Sequence, residues 1–210
     1  MHTCTQAYED HARQQGYQFV AGLDEAGRGS LFGPVVAAAV VLDLSHPVIG
    51  LNDSKQLTAK SRERFYDLIM GNAFGWAIAE MDAARVDAWN ILEATKQAME
   101  LAVASIPTAP DFLLIDAVRL PVPIPQLSII HGDALSVSIA AASILAKVHR
   151  DRLMAEWDKV YPQYGLGEHK GYPTAKHLAA LQRYGPTPHH RWSFAPVRRV
   201  PAPSQFEMFQ

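Results

Sequence analysis

The run Val35-Val36-Ala37-Ala38-Ala39-Val40-Val41-Leu42 limits the possible folds more than any other segment. It lies between Pro34 and Asp43, and every position in it is apolar. A half-exposed strand alternates polar and apolar residues, and an amphipathic helix repeats every three to four positions. An unbroken apolar run of this length reads instead as a strand buried on both faces. It is too short to cross a bilayer, which takes about 20 apolar residues.

Other segments supply neighbours for that strand. Tyr17–Leu23, Phe74–Met81, Phe112–Ile115 and Leu127–Ile130 also read as strands. Helical spacing runs from Thr58, a candidate N-cap, to Met70, and again from about Asp82 to Ser105. A long helix is expected over Leu135–Tyr161, and a last one over Thr174–Tyr184 ended by Gly185-Pro186. Three strands able to pair antiparallel come first, and strands alternate with helices afterwards. The expected class is α/β: a mixed five-stranded sheet flanked by helices, with a C-terminal helical extension. Residues 17–197 form one expected domain and residues 198–210 a tail.

The chain has 210 residues and is 49% hydrophobic, enough for one real core. Cys4 is the single cysteine, which excludes an internal disulfide and fits a reducing compartment. No signal-peptide pattern opens the sequence. A soluble, cytoplasmic, monomeric protein with no membrane partner is expected. The net charge of −2 hides an asymmetry. Lys147–Arg199 holds ten Lys/Arg against four Asp/Glu, whereas residues 1–146 hold nine against sixteen. A solvated basic face would explain this blandly; an acidic metal site facing a polyanion explains it too.

Chemistry concentrates in Gly22-Leu23-Asp24-Glu25-Ala26-Gly27-Arg28-Gly29-Ser30. Successive strand side chains point to opposite faces, so Asp24 and Glu25 share a site only near the strand's end. Adjacent carboxylates repel, and a divalent cation relieves the repulsion. Gly27 and Gly29 let the backbone turn and approach a ligand, and Arg28 can pair with a phosphate. Asp116 ends the fourth strand, and Asp133 stands between the fifth strand and the long helix, where an N-cap role competes. Four acids at strand ends or helix starts suit Mg²⁺ or Mn²⁺, with a two-ion site expected. The histidines lack zinc-type spacing, and there is no phosphate loop of the GxxxxGK[ST] kind.

Several ordered segments together resemble bacterial ribonuclease HII, the type 2 ribonuclease H. They are Gly22–Gly29, Asp53-Ser54-Lys55, Asp116-Ala117, Gly132-Asp133-Ala134 and Ser138–Ser143, followed by Lys147, Arg150-Asp151, His169–Tyr172 and Arg191–Phe194. The resemblance implies the ribonuclease H-like fold and makes Asp24, Glu25, Asp116 and Asp133 the catalytic and metal-binding acids. It implies that Gly27-Arg28-Gly29 senses the ribose 2′-hydroxyl, with Tyr172 at the ribonucleotide-to-deoxyribonucleotide junction. Lys55, Lys147, Lys170 and Arg191 become candidate phosphate contacts. The implied substrates are RNA/DNA hybrids and duplex DNA with embedded ribonucleotides. The implied cut falls 5′ of the ribonucleotide, leaving a 3′-hydroxyl and a 5′-phosphate. His131 stands where the family is expected to carry lysine, and Pro173 where glycine is more usual. Sister ribonuclease HIII is disfavoured, because its substrate-binding domain has no room before Gly22. A non-catalytic nucleic-acid binder is disfavoured by the presence of all four acids.

The tail adds a partner reading. After a Pro-containing spacer it reads Gln205-Phe206-Glu207-Met208-Phe209. Gln205, Met208 and Phe209 resemble a peptide that binds the bacterial sliding clamp; packing of the tail on its own domain is the alternative.

Overall fold

The computed structural model describes residues 4–51, 54 and 57–200. Lys55, Gln205, Met208 and Phe209 lie outside the described residues. The sheet contains β1 (Val20–Ala26), β2 (Val35–Leu42), β3 (Ala73–Met81), β4 (Phe112–Asp116) and β5 (Gln126–Ile129), in the order β3-β2-β1-β4-β5. β1 pairs antiparallel with β2, and β2 with β3. β4 lies parallel to both β1 and β5. The expected mixed five-stranded sheet is therefore present.

The helices are α1 (Ala7–Gln14), α2 (Ala59–Asn72), α3 (Ala83–Trp89), α4 (Ile91–Ser105), α5 (Val137–Val160), α6 (Leu166–His169), α7 (Ala175–Tyr184) and α8 (Ala195–Arg198). β2 explains why helices cover both sheet faces. Its Val35, Ala37, Ala39 and Val41 pack into a core with Ala94, Ala98, Met99 and Ala102 of α4. The alternate residues Val36, Ala38, Val40 and Leu42 pack with α2 and with Ala140–Ala142 of α5. The small residues of α5 let its backbone approach the sheet closely. A Cβ on Gly22 of β1 would overlap the Ser138 backbone of α5, so only glycine fits there. A third core joins Leu31 and Phe32 to Met154, Tyr164, Leu166, Leu181 and Val197, and this anchors the C-terminal helical extension.

Three expectations change. β1 runs to Ala26, so Asp24 and Glu25 lie within the strand, opposite Ala38 and Ala37. The helix expected over 82–105 is two helices. Asn90 takes a φ of 76°, and its side chain accepts from the Leu92 and Glu93 N–H groups to start α4. α1 was not foreseen. It is held by Glu9, whose buried carboxylate accepts from Ser136 Oγ at 2.5 Å and Ser138 N at 2.9 Å. Among the described residues, no helix is long and apolar enough to cross a membrane.

Candidate active site

Parallel pairing of β1 with β4 matches Leu23 with Ile115, so the next residue on each strand, Asp24 and Asp116, emerges at the same sheet end. Strand ends of this kind are where open α/β sheets collect their chemistry. Asp24, Glu25 and Asp116 line one cleft of about 230 Å³ with Gly27, Arg28, Gly29, Ser54, Ser143, Lys147 and Tyr172. Roomier clefts lie elsewhere, one of about 490 Å³ beside Glu80 and Asp82, but they do not gather three carboxylates.

The acids are fixed by short bonds. Asp24 Oδ1 accepts from the Glu25 N–H at 2.7 Å, and Asp116 Oδ1 accepts from the Gly132 N–H at 2.7 Å. Ser54 and Ser143 bond through their hydroxyls at 2.9 Å beside Asp24. Burial, then the charges of Glu25 and Asp116, hold the Asp24 carboxyl well above the usual carboxylate range. Bonds from Ser143 and the Glu25 N–H oppose that rise. The donor set is all oxygen. Among the described residues, no group of three or more His, Cys, Asp or Glu side chains is already arranged to hold a metal ion. The three acids instead line an open cleft, where Glu25 and Asp116 crowd Asp24 electrostatically, a repulsion that a divalent cation offsets.

The other expected residues divide. Asp133 is buried in the Gly132–Ala134 turn and does not line the cleft; its neighbour Gly132 ties that turn to Asp116. Arg28 lines the cleft and pairs with Glu25 at 3.2 Å. Lys147 also lines it, pairs with Asp151 at 2.6 Å, and sits 5.9 Å from the Tyr172 ring centre. Lys170 takes a φ of 54° and contributes its carbonyl, which accepts from Arg150 at 3.0 Å; its side chain does not line the cleft. Arg191 corrects the expectation of a phosphate contact. It is fully buried, and its guanidinium donates to the Gly33 and Arg28 carbonyls at 3.1 and 2.9 Å. A guanidinium so enclosed cannot meet a phosphate on the surface.

Arg150 had no assigned role. It is buried and bonds to the carbonyls of Pro34, Phe32 and Lys170 and to Ser30 Oγ. It thereby ties the loop after Gly27 to the turn that carries Tyr172. Charge counts along a sequence cannot distinguish such a brace from a surface cation.

A histidine relay supports the same turn. The Thr187 N–H donates to His190 Nδ1 at 2.9 Å, which leaves the proton on His190 Nε2. That nitrogen faces His177 Nε2 at 3.1 Å, and His177 Nδ1 faces the Tyr172 carbonyl at 3.1 Å. Every bond is satisfied with both rings neutral. Burial first, and then neighbouring histidines, push His190 down to about 3; burial chiefly pushes His177 down to about 4. A histidine with a depressed folded pKa contributes stability fully above its unfolded pKa near 6.5, and loses it as pH falls toward the folded value. The expected loss is about 1.4 kcal/mol per pH unit per histidine below about 6.5. The urea midpoint should fall from pH 7 to pH 5.5, and His190→Gln should flatten that slope. A His190→Gln slope equal to that of wild type would show that the ring is not held neutral; this comparison cancels Asp24, whose raised carboxyl acts in the opposite direction over the same range.

The sequence model of the family described as Ribonuclease HII matches residues 21–197. A ribonuclease HII of Koribacter versatilis is 52% identical over 202 residues, 96% of this chain and 80% of the relative. The crystal structure of the ribonuclease H2 from Pyrococcus horikoshii superposes with a TM-score of 0.73 at 27% identity, covering 87% of this chain and 97% of that one. The PCNA:RNase HII complex from Archaeoglobus fulgidus gives a TM-score of 0.70 at 22% identity, covering 84% and 95%. With a family match over residues 21–197, which include the cleft, the chain belongs to the ribonuclease HII family.

Proposed function

We propose that the cleft lined by Asp24, Glu25 and Asp116 is where this chain performs its family's reaction. Ribonucleases HII are endonucleases that cleave RNA in RNA/DNA hybrids and remove ribonucleotides from DNA, and the family depends on divalent metal. The observation that carries the proposal is the meeting of three carboxylates with the Gly27–Gly29 turn and Tyr172 around one opening. Asp24, Glu25 and Asp116 would hold Mg²⁺ or Mn²⁺, with Asp133 as a fourth acid of the group, next to Gly132, whose N–H donates to Asp116. Once bound, two such ions would supply charge stabilisation and a more acidic water for phosphodiester hydrolysis.

The chain's own groups do the rest. Gly27-Arg28-Gly29 and Tyr172 enclose the sugar, and the backbone of the turn addresses its 2′-hydroxyl, the group that separates RNA from DNA. Lys147 meets a phosphate near the acids, with Lys170 and Lys55 as further contacts on the strand. The product ends are a 3′-hydroxyl and a 5′-phosphate. A duplex with one ribonucleotide should be nicked on its 5′ side. The same duplex carrying 2′-deoxyribose or 2′-O-methylribose there should be cut at least about 10²-fold more slowly, because the site's polar groups stay unpaired. Comparable cutting of all three duplexes would remove the 2′-hydroxyl reading.

The tail carries a second partner. Gln205, Met208 and Phe209 fit the clamp-binding pattern, and the Archaeoglobus relative was solved with PCNA. At 22% identity that relative speaks for the fold, so the clamp reading rests on the tail's sequence. Deleting Gln205–Gln210 should abolish binding to a bacterial clamp and leave nicking of a short oligonucleotide unchanged. Absence of clamp binding by the full chain would end this reading.

A further inference from the structure

Arg191 has no access to solvent, yet it acts on the rim of the cleft through one bond. Its Nη1 donates to the Arg28 carbonyl at 2.9 Å. No described peptide bond is cis. In a trans peptide the C=O and N–H point in opposite directions. The Arg28 carbonyl is drawn inward onto a buried cation, so the N–H of the same peptide, that of Gly29, points outward. Gly29 is exposed and lines the cleft. Among the described residues, no acceptor takes its N–H. The Tyr172 ring lies opposite, with Cε1 3.9 Å from where a Cβ on Gly29 would stand. The peptide therefore offers one outward donor across a slot from an aromatic ring.

The donor on the inner side is charged. A hydrogen bond from a cation is stronger than a neutral one and polarises the peptide it reaches, which strengthens the N–H at the other end. Burying this guanidinium is costly. Its Nη2 is buried without a hydrogen-bond partner, and Arg150 lies near enough to repel it. A neutral amide, with two N–H donors, could hold the Gly33 and Arg28 carbonyls without burying a charge. The Phe194 ring, 5.3 Å from the guanidinium carbon, offsets part of the cost.

We infer that Arg191 is a positioning residue for substrate recognition, which orients and polarises the Gly29 N–H as the donor to the ribose 2′-hydroxyl. This rests on the 2′-hydroxyl reading of the Gly27–Gly29 turn. It assigns Arg191 a part in telling ribose from deoxyribose without any contact with nucleic acid.

Two measurements test it, both in metal-free buffer so that no strand is cut. The first is binding, by fluorescence anisotropy, of a DNA duplex with one ribonucleotide and of its all-deoxy counterpart. Wild type should prefer the ribonucleotide by on the order of tenfold, the worth of one good hydrogen bond. Arg191→Met and Arg191→Leu should bring that ratio to within about twofold of unity, while all-DNA affinity stays within about threefold. A merely structural role would weaken both duplexes alike. A folded variant that keeps the wild-type ratio overturns the inference. The second measurement uses only wild type and does not depend on a variant folding. The Gly29 amide resonance should exchange rapidly in the free protein and move on adding the ribonucleotide duplex but not the all-deoxy one. A protected Gly29 amide, or one unmoved by the ribonucleotide, overturns the inference even when wild type discriminates. If wild type itself binds both duplexes equally, the 2′-hydroxyl reading fails, and the role of Arg191 fails with it.

Discussion

Asp24→Asn and Asp116→Asn should each lower kcat for nicking by at least about 10²–10³-fold while leaving a protein as stable as wild type, or more so. The two halves of this result have one cause. Asp24 is buried beside Glu25 and Asp116, and burial plus those two charges raise its pKa. A carboxylate raised in the folded state weakens folding above its unfolded pKa, because the folded protein resists its charge. The amide removes the charge at nearly constant shape. Its oxygen can still accept the Glu25 N–H in place of Asp24 Oδ1, or the Gly132 N–H in place of Asp116 Oδ1. Folding therefore gains from relieved repulsion, and catalysis loses the charge that holds a cation. Single-turnover nicking and urea unfolding of the same preparations check both halves. A mutant with near wild-type nicking would mean that the site is elsewhere. A mutant that loses activity and stability together would mean that the carboxylate holds the fold rather than the metal.

The placement of Asp24 and Asp116 at one end of the sheet was legible in the sequence. Asp24 and Asp116 follow apolar runs that read as buried strands, and a charge at such a place has no reason in packing. β2 was readable because every residue from Val35 to Leu42 is apolar, and the structure buries both of its faces. Other features were not readable, because tertiary contacts decide them. Asn90, with Glu93 three residues on, carries a local capping signal, but the apolar spacing continues across it and hides the break; its left-handed backbone ends α3 as its side chain starts α4. α1 depends on Glu9 bonding to residues 127 and 129 positions away. The basic final third overstated the free positive charge. Lys147, Arg152, Lys159 and Lys176 pair with Asp151, Glu63, Glu156 and Glu168, and Arg150 and Arg191 are buried. Sequence counts charges but does not record which of them face inward.

The second large effect concerns one of those inward charges. Arg150→Met should destabilise the fold by on the order of 3 kcal/mol or more, because it leaves the Pro34, Phe32 and Lys170 carbonyls and Ser30 Oγ without their buried donor. Gly27→Ala should also destabilise, for two separable reasons. Gly27 has a φ of 90°, where a Cβ is strained, and that Cβ would overlap the Arg150 side chain. In the double mutant the overlap is gone, because methionine can move aside, and the backbone strain remains. The two changes should therefore cost less together than the sum of the singles, with a coupling of about 1–3 kcal/mol. Nicking should fall in all three proteins, since Arg150 ties the Gly27–Gly29 loop to the turn bearing Tyr172, whose ring lies 5.6 Å from its guanidinium carbon. Urea unfolding of the four proteins completes the cycle. Additivity within about 0.5 kcal/mol would mean that Gly27 does not pack on Arg150 in solution. A stable Arg150→Met with full nicking would mean that the two halves of the sugar-binding slot are held together by something other than this arginine.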